Sequence, residues 1–227
     1  HRQARTLRMS MARRRVAILI SGRGSNMAAL IDAARANDYP AEIVLVISNE
    51  RDAAGLAYAE SNGIATAIVD HRGFTSRDAF GAALDEALRA ANVEFVCLAG
   101  FMRMLPASLV ERWSGRMLNI HPSLLPAFKG LDTHARALAA GAKIHGCSVH
   151  FVSAELDAGP IVIQAAVPVL DGDDEKTLAA RVLAQEHCIY PAALRWLAEN
   201  RLKIEDGRVL VSGAADANEA ALRSPPV

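Results

Sequence analysis

Residues 15–36 read RVAILISGRGSNMAALIDAARA, and this stretch decides the fold. The apolar, β-branched run 15–20 has no polar face beyond its first residue, so as a strand it must be covered on both sides. It stops at Ser21-Gly22-Arg23-Gly24-Ser25-Asn26, where two glycines free the backbone to turn, and a helical pattern takes over across 26–36. Strand, glycine turn and helix make the opening unit of a parallel sheet packed between helices.

Working outward, the alternation repeats. Strands are expected at 43–48, 65–69, 95–99 and 117–120, and helices at 52–61, 76–91 and 106–112. After residue 120 the grammar changes to a proline-rich loop, a helix near 133–140, and strands 147–152 and 161–168, close enough to pair as antiparallel neighbours. A long helix is expected over 174–200, carrying Leu178, Val182, Leu183, Leu194 and Leu197, with Pro191 kinking it. Asp206-Gly207 between the short runs 202–204 and 209–211 signals a hairpin. The fold class is therefore α/β, a mostly parallel open sheet with helices on both faces and an antiparallel carboxy-terminal part. Residues 13–212 are expected to form one domain. Residues 1–12, basic and patternless with Met9 and Met11 as candidate natural starts, read as a tag or disordered extension, and 213–227 as a flexible tail.

Composition narrows the function. A chain of 227 residues with 52% hydrophobic content buries a sizeable core. Lysine plus arginine and aspartate plus glutamate each total 25, so no general field attracts a nucleic-acid backbone or an anionic membrane, and any anionic ligand must be held by a local site. Cys97, Cys147 and Cys188 lie far apart, without the close pairing of a metal site or a disulfide framework, which fits a reducing, cytoplasmic setting. No apolar run approaches the roughly 18 residues of a membrane span. The expected partners are small molecules, without nucleic acid, membrane or metal, bound by a monomer or homodimer.

The loop 21–26 has two readings: its amides cradle a phosphate at a helix start, or it is a tight turn in which Ser25 or Asn26 caps the helix. A dinucleotide fingerprint is disfavoured, because Met27 stands where the third glycine belongs and Ser48-Asn49 where the acidic residue belongs. Farther on, Asn119-Ile120-His121-Pro122 ends a strand, and alternation puts Asn119 and His121 on one face. Pro122 keeps His121 extended. The pair is either catalytic or structural. The turn-rich connection 151–160 presents Glu155 and Asp157. A carboxylate from it reaching His121 would favour the imidazolium form, whereas an aspartate before Gly159-Pro160 also serves as an ordinary turn residue and Glu155 as a solvated charge. His134, His145 and His150 have no evident partner and read as structural.

Together the stretches ISGRGSN, LAGFMRML, NIHPSLLPAFKG followed by THARAL, SVHFV, ELDAGPIVIQ and QEHCIYP resemble the phosphoribosylglycinamide formyltransferase family, in its order, from about residue 16 to 191. The resemblance implies a Rossmann-like formyltransferase fold and a catalytic set of Asn119, His121 and Asp157. It implies that Gly24, Ser25 and Asn26 hold the phosphate of glycinamide ribonucleotide (GAR). Leu183, Ala184, Gln185 and Glu186 would contact the rest of that substrate, with Glu186 near its amine or ribose. It further implies 10-formyltetrahydrofolate as co-substrate, no metal, and a folate pocket lined by Arg77, Met102, Arg103, Met104, Leu105, Asn119, Ser153, Ala154, Glu155, Leu156 and Asp157. By residue type alone, 102–105 would be core packing at a helix start and Arg77 a solvated helix charge. One departure is Ala158, where many relatives have glycine; a methyl group there is strained if φ is positive.

The implied chemistry is acyl transfer, with Asn119 and protonated His121 stabilising an oxyanion and Asp157 supporting the histidine and moving a proton. Two rivals share the NIHPSLLP segment. A formyltetrahydrofolate deformylase is expected to carry an added amino-terminal regulatory domain, for which there is no room before Val16. A methionyl-tRNA formyltransferase would need a further carboxy-terminal domain and a basic surface for tRNA. A non-catalytic nucleotide-binding module is the alternative from another class.

Overall fold

The computed structural model describes residues 12–215 and 219–227, so all but the last residue of the expected 1–12 extension, and 216–218 of the expected tail, lie outside it. The first half alternates as the sequence pattern requires: β1 (Arg14–Ile20), α1 (Ser25–Ala34), β2 (Ala41–Ser48), α2 (Ala54–Ser61) and β3 (Ala65–Ile68). A 3-10 turn (His71–Gly73), α3 (Arg77–Ala90), β4 (Phe95–Ala99), α4 (Ala107–Arg112) and β5 (Met117–His121) follow. Then come α5 (Thr133–Ala139), β6 (Ile144–Phe151), β7 (Ile161–Pro168), α6 (Glu175–Ala198) and the hairpin strands β8 (Leu202–Glu205) and β9 (Arg208–Val211). The sheet order is β3-β2-β1-β4-β5-β6-β7, parallel as far as β5 and antiparallel from β5 through β7. Among the described residues no helix is long and apolar enough to cross a membrane.

Strand alternation divides the core into two layers. Val16, Ile18 and Ile20 of β1 join Phe95, Cys97, Leu118 and Ile120 under α1, α2 and α6. Ala17 and Leu19 face the other way, with Val96, Leu98 and Met117 under α3 and α4. All five of these β1 side chains are fully buried, which is why the strand tolerates no polar position in its apolar run. On the α6 side, β6 continues the apolar layer with Cys147, Val149 and Phe151, whereas the α3/α4 layer takes nothing from β6. Beyond Met117, then, the second face of β5 and β6 has no helix over it, and it carries Asn119, His121, Ser148 and His150.

Several boundaries shift by a few residues from expectation, and two of the shifts have clear local reasons. Helix α1 begins one residue early, because Gly24 takes the left-handed conformation (φ 69°) at its N-cap. Strand β6 begins at Ile144 because it pairs with β7 from Ile144↔Pro168 onward; Gly146, which reads as a break, is needed where a Cβ would lie 2.0 Å from the Ala165 carbonyl oxygen. Helix α6 forms, as expected, as one long element that includes Pro191, and it starts with a capping box between Asp174 and Thr177. Its Tyr190 is fully buried, and the hydroxyl bonds to the carbonyls of Leu98 (2.7 Å) and Leu118 (3.1 Å) on adjacent strands.

The connection from β6 to β7 carries Asp157, and its course is set by close contact. A Cβ on Gly159 would stand 1.7 Å from the Phe151 carbonyl oxygen, a backbone atom that cannot swing aside. Gly159→Ala should therefore cost about 3 kcal/mol, the upper end for overpacking. Chemical denaturation of the variant beside wild type measures it, and an unchanged midpoint would mean that the connection moves freely.

Candidate active site

The uncovered face of β5 and β6 brings the sequence-derived triplet together. His121 and Asp157 are both buried, with His121 Nδ1 3.6 Å from Asp157 Oδ2. The other ring nitrogen, Nε2, lies 2.9 Å from the Phe128 carbonyl oxygen, which only accepts, so Nε2 carries a proton. Both nitrogens thus face acceptors, and a ring protonated on each meets both. At 3.6 Å the Nδ1 contact is an ion-pair distance rather than a hydrogen bond. Asp157 Oδ2 also accepts from the Gly130 amide at 2.8 Å.

Among the described residues Asn119 makes no hydrogen bond to His121 or Asp157; its side-chain partner is His150. His150 Nδ1 is 2.9 Å from the Phe151 carbonyl oxygen and so bears the proton, leaving Nε2 to accept from the Asn119 amide at 3.3 Å. The same Nε2 lies 3.9 Å from Asp157 Oδ1. Burial lowers the His150 pKa, which keeps the ring neutral and able to accept. His150, read from the sequence as structural, is thus a member of the site. The available signal was alternation: Ser148 and His150 are out of phase with Cys147, Val149 and Phe151, and antiparallel pairing sets them opposite His121 and Asn119. The other two histidines are also partnered, with His134 Nδ1 3.1 Å from His145 Nε2, and burial pushes the His145 pKa down to about 4.

The loop 122–132 closes over this face in a constrained conformation. Phe128 (φ 51°), Gly130 (φ 84°) and Asp132 (φ 55°) are left-handed, which is costly for a phenylalanine. Arg136 compensates by donating to the carbonyls of Lys129 (2.6 Å) and Leu131 (3.0 Å) with its guanidinium 5.6 Å from the Phe128 ring centre. Neither Phe128 nor Gly130 stands out in the sequence, because both act through backbone atoms. In the 151–160 connection the left-handed residue is Asp157 (φ 51°), a type that tolerates it, and Ala158 is not, so the methyl group at 158 is unstrained.

Most of the expected folate wall surrounds one cavity: Arg103, Met104, Leu105, Asn119 and Asp157 line it with Ser153, Ala154, Glu155 and Leu156, joined by Leu98, Phe101 and His150. Met102 is exposed beside it. Arg77 lies in an adjoining hollow that shares Arg103 and Met104 and adds His71 and Phe80. Neither arginine has an acidic partner among the described residues.

The expected nucleotide residues form a second locus. Among the described residues the amides of Ser25, Asn26 and Met27 at the start of α1 meet no acceptor, and no side chain caps them, which removes the reading of Ser25 or Asn26 as a cap. Instead the Asn26 amide donates to Glu186 Oε1 across to α6 at 3.0 Å, while Asn26 Oδ1 is buried with no partner. Burial raises the Glu186 pKa against the opposing pull of that hydrogen bond. Of the other α6 residues, Leu183 and Gln185 are half-buried and Ala184 is exposed; none lines the cavity.

Residues 14–194 match the formyl transferase family. The chain belongs to that family. Phosphoribosylglycinamide formyltransferase of Escherichia coli (strain K12) is 46% identical over 198 residues, covering 87% of this chain and 93% of the relative. The trifunctional purine biosynthetic protein adenosine-3 of Bos taurus is 50% identical over 196 residues, 86% of this chain, which spans only 19% of that longer protein. Among solved structures, glycinamide ribonucleotide transformylase 1 from Symbiobacterium toebii superposes with a TM-score of 0.86 at 48% identity, covering 88% of this chain and 94% of that one. A formyltetrahydrofolate deformylase from Pseudomonas syringae superposes with a TM-score of 0.83 at 26% identity, covering 89% of this chain but 67% of that one.

Two outcomes follow for this formyl transferase. Asp157→Asn keeps shape and removes charge, so turnover should fall on the order of a hundredfold with substrate binding nearly kept; kcat and ligand affinities of the folded variant measure this, and near-normal kcat would remove the carboxylate from the reaction. For Glu186, a raised pKa means that its contribution to stability is greatest below the ordinary carboxylate pKa and is lost as pH rises through the raised value. Glu186→Gln should then stabilise the fold at about pH 8 and gain little at about pH 4. Denaturation at both values checks the sign, and an equal gain at each would contradict it.

Proposed function

We propose that this chain transfers the formyl group of 10-formyltetrahydrofolate to the primary amine of GAR, giving formyl-GAR and tetrahydrofolate in purine synthesis. The observation that carries the reading is Asn26. Its Oδ1 is a buried, unused acceptor beside Glu186, next to a helix start whose first amides are free. Free amides suit a phosphate, and adjacent buried acceptors suit hydroxyls. A locus of this kind suits a phosphorylated ribose, which a deformylase, using water, does not require.

In this reading the steps follow from the residues present. The neutral amine of GAR attacks the formyl carbon, and the carbonyl oxygen becomes an oxyanion. Asn119 has one N–H committed to His150 and the second available to that oxyanion, while His121, both of whose ring nitrogens are directed at Asp157 and the Phe128 carbonyl, supports it through positive charge when protonated rather than through a hydrogen bond. The proton lost by the amine passes by way of Asp157 and a water to the folate nitrogen, which leaves as tetrahydrofolate. Exposed methionines and the 153–156 backbone suit a flat pterin, and the unpaired Arg77 and Arg103 suit the carboxylates of the folate tail. Burial pushes the thiols of Cys97 and Cys147 up to about 12, so neither is offered as a nucleophile in this mechanism.

Spectrophotometric assay of formyl loss, run with and without GAR, tests the reading. Turnover should appear only when GAR is present; equal rates without it would make the enzyme a hydrolase.

A further inference from the structure

The carboxyl ends of β3, β2, β1 and β4, neighbours in that order, are joined by one hydrogen-bond chain with a member just beyond each strand. These are His71, Asn49, Ser21 and Met102. The Met102 amide donates to Ser21 Oγ at 2.8 Å, Ser21 lies 2.5 Å from Asn49 Oδ1, and the Asn49 amide lies 3.3 Å from His71 Nδ1. The direction is forced. An amide N–H only donates, so Ser21 Oγ accepts from Met102 and sends its own proton to Asn49; the Asn49 amide nitrogen then points to His71, whose Nδ1 accepts. Asn49 is 1% exposed, so a missing partner there would leave buried polar atoms unpaired.

The Ser21–Met102 bond crosses the crevice between β1 and β4. That is where the chain order reverses, since β1 leads through α1 toward β2 and β3 on one side while β4 and β5 follow on the other. The β1/β4 ladder ends at Ile20↔Ala99, and the serine hydroxyl is the next tie above it. Ser21 heads the glycine loop, and Met102 opens the segment whose Arg103, Met104 and Leu105 line the folate cavity.

We propose that Ser21 is a positioning residue: its hydroxyl, aimed by Asn49 and His71, holds the Met102 amide and thereby sets the folate wall against the nucleotide loop. The inference rests on the assignment of that wall to formyl folate under the proposed function. It predicts an effect on folate binding from a residue that lies on the nucleotide side.

Threonine and valine have nearly the same shape and differ in the hydroxyl, so Ser21→Thr and Ser21→Val share any steric cost. The KM for 10-formyltetrahydrofolate should be about five- to tenfold higher in Ser21→Val than in Ser21→Thr, the worth of one hydrogen bond. The kcat and the KM for GAR should agree between the two variants within about twofold. Adding Asn49→Ala to Ser21→Val should raise the folate KM little further, because both break the same chain. Equal folate KM in the two variants, or a parallel rise in both substrates' KM, overturns the proposal. Amide hydrogen exchange at 102–105 without substrates gives a second readout, expected faster in Ser21→Val, with equal rates in the two variants also overturning it. Loss of the GAR dependence of wild type would instead undo the reaction assignment, and the exchange comparison would still decide the role of Ser21.

Discussion

The site depends on the antiparallel pairing of β5 with β6. Were β6 parallel, as the strands before it are, a covering helix would be expected over both faces. The reversal leaves one face open, and the register sets Asn119 opposite His150 and His121 opposite Ser148. Polar side chains on a half-buried face must satisfy one another. His150 therefore takes Asn119, while Ser148 takes the Ser123 carbonyl and the Leu125 amide and so fixes the loop that follows His121. The connection leaving β6 then returns Asp157 to the same place. The geometry of the candidate site is the hydrogen-bond accounting of one sheet face that a loop covers.

That logic explains what the sequence discloses and what it withholds. The alternating layers were legible because β1 and β4 are apolar at every buried position, and Asn119 and His121 because they interrupt an apolar strand in phase. The partners of those residues were not legible. Phe128 and Gly130 serve through a carbonyl and an amide, which every residue has; only the left-handed backbone marks them. The Asn26–Glu186 contact joins residues 160 positions apart, and the Ser21–Met102 contact joins residues 81 apart, so neither has a local pattern. His150 was within reach, had the β5/β6 register been carried through residue by residue.

The two ligand loci are built on different physics. The cavity by β5 mixes apolar side chains such as Phe101, Met104 and Leu105 with polar groups such as Asn119 and Asp157, which suits a flat ring system bearing polar edges. The α1 locus is nearly all backbone, free amides at a helix start, with a single buried carboxamide and carboxyl behind them. Relatives as different in length as the bacterial enzyme and the trifunctional animal protein align over this same span, so the unit that holds both loci is what they have in common.

The distribution of thiols has a practical consequence for anyone handling the molecule. Cys97 and Cys147 are sealed in the core layer beneath α6, whereas Cys188 is exposed on α6, two positions past Glu186. Since the sequence has three cysteines in all, a maleimide dye will attach at one place. That place lies on the exposed side of α6, the helix whose buried side carries Glu186. The chain thus takes a single fluorescent label on that helix without any engineered residue.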